Sequence, residues 1–170
     1  MNVRNQWIVL AALLLLCLAV GSGAGWATSQ SVSDWYPTLV KPSWNPPNWL
    51  FGPVWTILYI MMAVAVWLVW KTPRNTTSAM ILFFSQLALN FAWSFLFFGA
   101  RSPWLGLVGI AFLWLAVAAT AFAFFQASRA AGLLMVPYLA WVSFAGLLML
   151  PYLAWVSFAS ALNVAIWRMN

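Results

Sequence analysis

Long uncharged apolar runs dominate this chain and limit what it can fold into. Of its 170 residues, 66% are hydrophobic, and the charged residues are seven Lys and Arg and one Asp. Eight charges cannot cover a soluble domain of this size, in which about a quarter of the residues are charged. A membrane-spanning helix needs about 20 apolar residues. The sequence therefore predicts an integral, multi-pass membrane protein, with the membrane and the orientation left open.

The charges and turn residues divide the chain into five predicted spans within a single transmembrane domain, residues 1–170. Asn45-Pro46-Pro47 and Ser102-Pro103 are each predicted to begin a helix, because the polar side chain caps it and proline needs no N–H in the first turn. The fold class is an all-α, five-transmembrane-helix bundle. Its spans are expected at about 7–26, 47–70, 77–98, 103–125 and 131–167, with one long loop at 27–46.

The N-terminal segment has a second interpretation. Arg4 precedes an apolar run and small residues follow it, as in a cleaved signal peptide. The run through Val20 is long for such a peptide, so we interpret it as a retained first span.

A tandem duplication lies in the fifth span. Residues 132–145 and 146–159 are identical at 13 of 14 positions and differ only at Val136 and Leu150. Fourteen residues make about 3.9 helical turns, so one continuous helix would present both copies on nearly the same face. As a helix, residues 130–167 would be about 57 Å long, against a hydrocarbon core of about 30 Å. We expect an abnormally long or kinked fifth helix, or an added segment.

The residue inventory excludes most enzyme chemistry. The chain has no His, one carboxylate at Asp34 and one cysteine at Cys17. Catalytic triads, carboxylate pairs, His-containing metal sites and an intrachain disulfide are therefore excluded. We predict no catalytic and no metal-binding residues. The basic residues are scattered and form no patch, so no nucleic-acid partner is expected.

Fourteen tryptophans are the most unusual feature of the composition. Trp and Tyr collect at membrane interfaces, which explains those at the span ends. Phe51, Trp55 and Tyr59 differ, because their spacing of four places them on one face inside the second span. This stripe is either core packing or a wall for a planar apolar ligand. Asn90 lies in mid-span, where an amide either bonds another helix or contacts a ligand.

Three blocks of sequence resemble the translocator protein family, also called tryptophan-rich sensory proteins or peripheral-type benzodiazepine receptors. The blocks begin at Lys41 (KPSWNPPNWLFGPVWTILY), Gln86 (QLALNFAWSFLFFG) and Val136 (VPYLAW), the last continuing after the repeat to Arg168. The resemblance implies a five-helix bundle, often a homodimer, with a pocket beneath the first loop. It also implies that the pocket binds porphyrins and benzodiazepine-type ligands. The implied ligand-binding residues are Trp44, Trp49, Phe51, Trp55, Tyr59, Asn90, Trp93, Trp141 and Trp155, and Lys41 is the loop charge that would meet a propionate.

The chain departs from the family pattern in two places. Val164 stands where the animal cholesterol motif has Tyr, so we expect no specific sterol site. The duplication offers both Trp141 and Trp155 as the pocket tryptophan. We favour Trp155, because the segment that continues to Arg168 matches the family only from the second copy.

The expected function is that of a receptor or sensor for tetrapyrroles such as protoporphyrin IX and for other planar lipophilic ligands. It would be linked to porphyrin regulation or transport, with porphyrin as the ligand and no cofactor required. Two alternatives stay open. One is light- and oxygen-dependent porphyrin breakdown through Trp radicals, because the chain has no acid–base groups for other catalysis. The other is facilitated passage of small lipophilic molecules across the bilayer.

Overall fold

Five long helices make up nearly all of the chain in this computed structural model. The structure describes residues 3–169, with side chains for residues 5–150 and, beyond them, for residues 151, 154, 158, 164, 168 and 169. Within residues 3–169 there is no β-strand, as the expected fold class requires. The helices are α1 (Val3–Val32), α2 (Asn48–Trp70), α3 (Thr77–Ser94), α4 (Pro103–Ala127) and α5 (Arg129–Met169).

Each helix contains a segment that is long and apolar enough to cross a membrane. These segments are Asn5–Val32, Asn48–Trp70, Thr77–Gly99, Pro103–Ala127 and Arg129–Pro151. A bilayer offers no hydrogen-bond partners, so the backbone must pair within the segment, as an α-helix does. The prediction of an integral, multi-pass membrane protein is confirmed.

The helices form a closed ring in the order α1, α2, α5, α4, α3. The most extensive contacts join α4 to α5, α3 to α4, α1 to α2 and α2 to α5, and α1 returns to α3. The centre is filled by large buried side chains from several helices, including Met62, Phe83, Phe124 and Tyr138. The short connections at residues 71–76 and 128 lie at one end of the bundle, and the long first loop lies at the other.

The first helix is longer than its predicted span. It continues six residues past Trp26 to Val32, so the first loop covers residues 33–47. The polar residues at 27–32 suggested a loop, but their hydroxyls find carbonyl partners instead. Thr28 Oγ1 donates to Ala24 O (2.9 Å), and Ser31 Oγ donates to Phe98 O (2.9 Å). These bonds satisfy the hydroxyls within the helix or across to α3 and allow the helix to continue.

The predicted helix starts had different outcomes. Ser102 caps α4 as expected, accepting a hydrogen bond from the Leu105 N–H (3.3 Å), with Pro103 in the first turn. The prediction that Asn45 caps the second span is wrong. Pro47 holds the cap position of α2 without a side-chain bond. Asn45 instead bonds within the loop, because its amide donates to Pro46 O (3.0 Å).

The fifth helix is long, as the duplication predicted. It runs through 41 residues, including Pro137 and Pro151, and is therefore about 60 Å in length. Among the side chains of α5 that the structure describes, the buried ones belong to the first copy and the residue before it: Ala131, Met135, Tyr138 and Val142. Every side chain described after Met149 is exposed.

A glycine sets the approach of α1 to α2. A Cβ atom at Gly21 would lie 2.5 Å from Tyr59 Cε2, so only glycine allows this contact. At Gly25, one turn later on α1, a Cβ atom would meet nothing within 4 Å. Small residues allow helices to approach closely in membranes, where apolar burial alone gives little preference for one helix contact.

Replacement of these two glycines should therefore have different effects. We expect Gly21→Val to lower the free energy of unfolding by about 1–3 kcal/mol, because the added methyl groups overlap the Tyr59 ring. Gly25→Val should change it by less than about 1 kcal/mol. Thermal unfolding in detergent, followed by circular dichroism, measures both variants. Equal losses of stability would contradict this account of α1 packing.

Candidate ligand-binding site

A cavity of about 510 Å³ opens at the end of the bundle that carries the first loop. Helices α1, α2, α3 and α5 form its walls, and the loop lies over it. Its lining residues are predominantly apolar and aromatic, with a few hydroxyl and amide groups among them. The predicted ligand residues at its walls are Lys41, Phe51, Trp55, Tyr59, Asn90, Trp93 and Trp141.

Aromatic rings from α2 and α5 form one wall of this cavity. The centroid of the Trp55 ring lies 5.7 Å from that of Tyr59 and 6.0 Å from that of Tyr138. Phe51 meets Trp141 edge to face at 5.9 Å. The stripe predicted from the spacing of four on α2 thus faces the bundle rather than the lipid, and α5 extends it.

The Asn90 amide links three helices at the base of the cavity. Tyr59 on α2 donates its hydroxyl hydrogen to Asn90 Oδ1, and Asn90 Nδ2 donates to the Tyr138 hydroxyl on α5 (2.7 Å). Asn90 is only 4% exposed, so these bonds satisfy polar groups that have little access to water. The structural role considered for this residue is therefore observed. Asn90 also borders the cavity.

Trp93 is held in place by the irregular end of α3. Its ring lies nearly parallel to that of Phe97, with centroids 5.2 Å apart, and its Nε1 donates to Gly106 O on α4 (2.9 Å). Phe97 belongs to a π-helical turn, Phe95–Gly99, that extends α3. Such wide turns shift the side chains that follow and occur often at functional sites.

The first loop is an ordered cover with internal hydrogen bonds. Lys41 Nζ donates to Tyr36 O (2.6 Å) and to Leu39 O (3.1 Å) and lies 4.5 Å from the centre of the Tyr36 ring. The Tyr36 hydroxyl donates to Asn45 Oδ1 (3.1 Å). Burial raises the pKa of Tyr36, so this phenol stays protonated and remains a donor at neutral pH. The side chains of Tyr36, Lys41 and Asn45 all line the cavity.

The start of this loop is anchored to the end of α3 and the turn that follows. Arg101 donates to Asp34 Oδ2 (2.7 Å) in an ion pair whose side chains are each about half exposed. Trp35 packs edge to face against Phe97 (5.3 Å). Exposed ion pairs contribute little stability, so the ring contacts with α3 supply most of the anchoring.

Two of the expected ligand residues do not reach the cavity. Trp44 and Trp49 are 59% and 71% exposed and are not among its lining residues. The Asn45 N–H donates to Pro42 O (3.0 Å), which forms a turn with Trp44 at its tip. Trp49 lies about 100° around α2 from the lining residue Asn48, and so faces away. Both have the position of interfacial tryptophans.

Of the two duplicated tryptophans, Trp141 lines the cavity, whereas the sequence favoured Trp155. A continuous helix carries the backbone of position 155 about 21 Å beyond that of Trp141, so the two cannot lie at one level. The Trp155 side chain lies outside the described residues.

Three residues of the site were not singled out from the sequence. Tyr138 is fully buried and completes the Asn90 network, Phe97 supports Trp93, and Tyr36 holds Lys41. Tyr138 could have been found, because it precedes Trp141 by three within the PYLAW block and a tyrosine hydroxyl inside a membrane needs a partner. Phe97 and Tyr36 had no such signal, since the stacking of Phe97 on Trp93 depends on the π-helical turn and the contact of Tyr36 with Lys41 depends on the fold of the loop.

The network of Asn90 can be tested against a second amide on the same helix. Gln86 is fully buried one turn earlier, but its Oε1 has no hydrogen-bond partner among the residues described, and Nε2 has only Met62 Sδ at 3.7 Å. We expect Asn90→Leu to lower the free energy of unfolding by about 1–3 kcal/mol, because two hydroxyls lose their partner.

Gln86→Leu is the matched control. It removes an unsatisfied buried carbonyl, so stability should be unchanged or higher. Thermal unfolding of both variants in one detergent measures the difference. A larger loss for Gln86→Leu than for Asn90→Leu would contradict the assignment of the network to Asn90.

Comparison with known proteins gives a consistent result across the chain. The TspO/MBR family model matches residues 13–148 and, in a second, overlapping match, residues 143–168. The tryptophan-rich protein TspO of Chlorobaculum tepidum is 50% identical over 146 residues, which cover 84% of this chain and 92% of that protein. The human translocator protein is 41% identical over 140 residues, covering 80% of this chain and 75% of that protein.

A tryptophan-rich sensory protein of Cereibacter sphaeroides is 37% identical over 140 residues, covering 82% of this chain and 86% of that protein. The first family match, residues 13–148, extends from within α1 through the first copy in α5, and so includes part of every helix that lines the cavity. The resemblance carried by the three sequence blocks is thus confirmed, and this chain belongs to the TspO/MBR family.

Proposed function

We propose that this membrane protein is a receptor or sensor that binds tetrapyrroles such as protoporphyrin IX, and other planar lipophilic ligands, in the cavity beneath its first loop. Binding would be linked to porphyrin regulation or transport. The observation that carries this proposal is the combination of an aromatic wall, formed by Phe51, Trp55 and Trp141, with a single ammonium group at Lys41.

The size and polarity of the cavity suit a planar ligand of moderate size. Its volume of about 510 Å³ falls within the range of about 300–1,000 Å³ that is usual for small-molecule sites. Such sites are mostly apolar with a few placed polar groups. A flat macrocycle would stack or pack edge-on against the rings of Trp55 and Trp141, which are already fixed by contacts with Tyr138 and Phe51.

Lys41 is suited to bind a carboxylate at the edge of such a ligand. It is the single charged residue among the described residues that line the cavity. An ammonium group has three N–H donors, and the Tyr36 and Leu39 carbonyls accept two of them. These bonds position the group and leave one donor for a ligand anion, such as a propionate.

Asn90 supports a second polar contact. A side-chain amide has two N–H donors, and Tyr138 accepts one of them. The second donor is available to a ligand carboxylate or ring nitrogen at the base of the cavity. The names of the relatives, a translocator protein and a tryptophan-rich sensory protein, agree with a role in transport or sensing. A homodimer and the lack of a required cofactor remain predictions.

Quenching of tryptophan fluorescence by protoporphyrin IX, titrated in darkness into protein in detergent, tests the aromatic wall. We expect saturable quenching, with a smaller amplitude in Trp55→Phe because one of the nearest fluorophores is removed. Trp7→Phe is the control, since Trp7 packs on Trp67 and is not among the lining residues. Non-saturable quenching, or equal amplitude losses in both variants, would contradict the proposed site.

The role of Lys41 is tested with two porphyrins of matched shape. Lys41→Gln should weaken protoporphyrin IX binding by about 3- to 10-fold, the usual effect of losing one charge-assisted hydrogen bond in a half-buried site. Etioporphyrin has alkyl groups in place of the propionates, so its affinity should not change. Equal weakening for both ligands would mean that Lys41 only holds the loop in place.

A further inference from the structure

The residues with which the first copy packs in the bundle recur 14 positions later in the sequence. We propose that α5 packs in either of two registers that differ by 14 residues, so that the same chain forms two versions of the cavity. Register one, the observed arrangement, packs the first copy, residues 132–145. Register two packs the second copy, residues 146–159, at the same place.

The contacts of the first copy define what register two must reproduce. Gly132 lies against Phe125 so closely that a Cβ atom would be 2.2 Å from the ring. Ser143 Oγ accepts a hydrogen bond from Trp114 Nε1 on α4 (2.8 Å). The buried residues between them are Met135, Tyr138 and Val142.

The second copy contains the same residue at each of these positions. Fourteen residues further on, the sequence repeats the glycine, methionine, tyrosine, valine and serine as Gly146, Met149, Tyr152, Val156 and Ser157. The glycine is the most demanding of these, because any side chain at this position would overlap Phe125. In register one, a Cβ atom at Gly146 would meet nothing within 4 Å, so the packing observed does not require glycine there.

Helix geometry allows the second copy to take the place of the first, provided that α5 is broken before residue 146, because Ser128 alone connects α4 to α5. A shift of 14 residues is a translation of about 21 Å combined with a rotation of about 40°. This screw motion superimposes the second copy on the first, prolines included. Because identical residues then make identical contacts, the packing free energy of the two copies largely cancels between the registers. The remaining difference depends on Val136 against Leu150, on the residues that follow each copy, such as Met149 against Asn163, and on the environment of the copy that is not packed.

In register one α5 continues beyond Met149 to Met169, and this part of the chain is predominantly apolar up to Trp167. Those of its side chains that the structure describes are exposed. In register two the helix would end only a few residues beyond the bundle, and the first copy would become part of the connection after α4. The two overlapping family matches, residues 13–148 and 143–168, each include one copy and support either as the family's fifth-helix segment.

The two registers would differ in one residue of the cavity wall. In register one, α5 contributes Trp141, Ala145, Leu148 and Met149 to the lining. Fourteen positions later the sequence has Trp155, Ala159, Leu162 and Asn163. Register two therefore replaces the Met149 thioether with an amide and keeps the other three residue types. It creates a more polar cavity without any change in the remaining helices.

Cross-linking to α4 tests the two registers in the full-length chain. In a Cys17→Ala background, Trp114→Cys is combined with Ser143→Cys, or with Ser157→Cys, and treated with a short bifunctional thiol reagent in liposomes. Mass spectrometry of the monomer fraction identifies links within one chain. Positions 143 and 157 are about 21 Å apart on one helix, so a short reagent cannot reach both from one register. We expect links to both.

Ala154→Cys is the control for nonspecific linking. Ala154 corresponds to Ala140 of the first copy, which is exposed in register one, so neither register brings it to position 114. A link to position 143 alone, or links of equal yield to positions 154 and 157, would overturn the proposal.

Two glycine variants make the test reciprocal. Gly146→Leu blocks register two and should abolish the link to position 157 while keeping the link to position 143. Gly132→Leu blocks register one and should shift the linking to position 157. If Gly132→Leu does not fold, Gly146→Leu still tests whether register two forms. A Cβ atom at position 146 meets nothing within 4 Å in register one, so this variant should fold. A link to position 157 that persists in Gly146→Leu would overturn the proposal.

Discussion

The hydrogen bonds of the Asn90 amide are the interaction on which the rest of this structure depends. Inside a bilayer, apolar side chains are equally well accommodated by lipid and by other helices, so close packing and polar contacts decide which helices associate. Asn90 joins α3 to Tyr59 on α2 and to Tyr138 on α5. The same tyrosines contact Trp55, so the network that holds the helices also fixes the aromatic wall of the cavity.

The cover of the cavity depends on the irregular end of α3. The π-helical turn carries Phe97, which stacks on Trp93 inside the cavity and receives Trp35 from the first loop. Ser31 at the end of α1 bonds the carbonyl of the neighbouring Phe98. The cavity wall at Trp93 and the loop that covers the cavity therefore both pack against the π-helical turn. A ligand that displaces Trp93 would also disturb the contacts that hold the loop.

The sequence predicted the regular parts of the molecule well. The five spans, the Ser102 cap, the long fifth helix and the inward face of Phe51, Trp55 and Tyr59 follow from hydropathy, capping residues and helical spacing, all of which are local properties. The errors at the end of α1 and at Asn45 involve contacts that form only on folding. Ser31 bonds the Phe98 carbonyl, 67 positions away, and Asn45 accepts a hydrogen bond from Tyr36 within the folded loop. Local patterns contain no information about such partners.

Most of the candidate site was also predictable, since seven of the expected residues line the cavity: Lys41, Phe51, Trp55, Tyr59, Asn90, Trp93 and Trp141. The exceptions, Trp44 and Trp49, belong to a turn and to the first turn of a helix. A shift of one residue there changes the direction of the side chain by about 100°. Tyr36 and Phe97 complete the site through Asn45 and Trp93, contacts that depend on the fold of the loop and on the π-helical turn. Tyr138 completes it through Asn90, 48 positions away in the sequence.

The sequence by itself determined that this protein lies in a membrane, crosses it with five helices and has neither histidine nor a pair of carboxylates, because these properties follow from residue types and their local order. Only the tertiary structure decided that Trp141 lines the cavity, how the loop covers it and which polar groups pair. Two copies that are identical at 13 of 14 positions have nearly the same local preferences, so only the packing of the folded helix places Trp141 against the cavity.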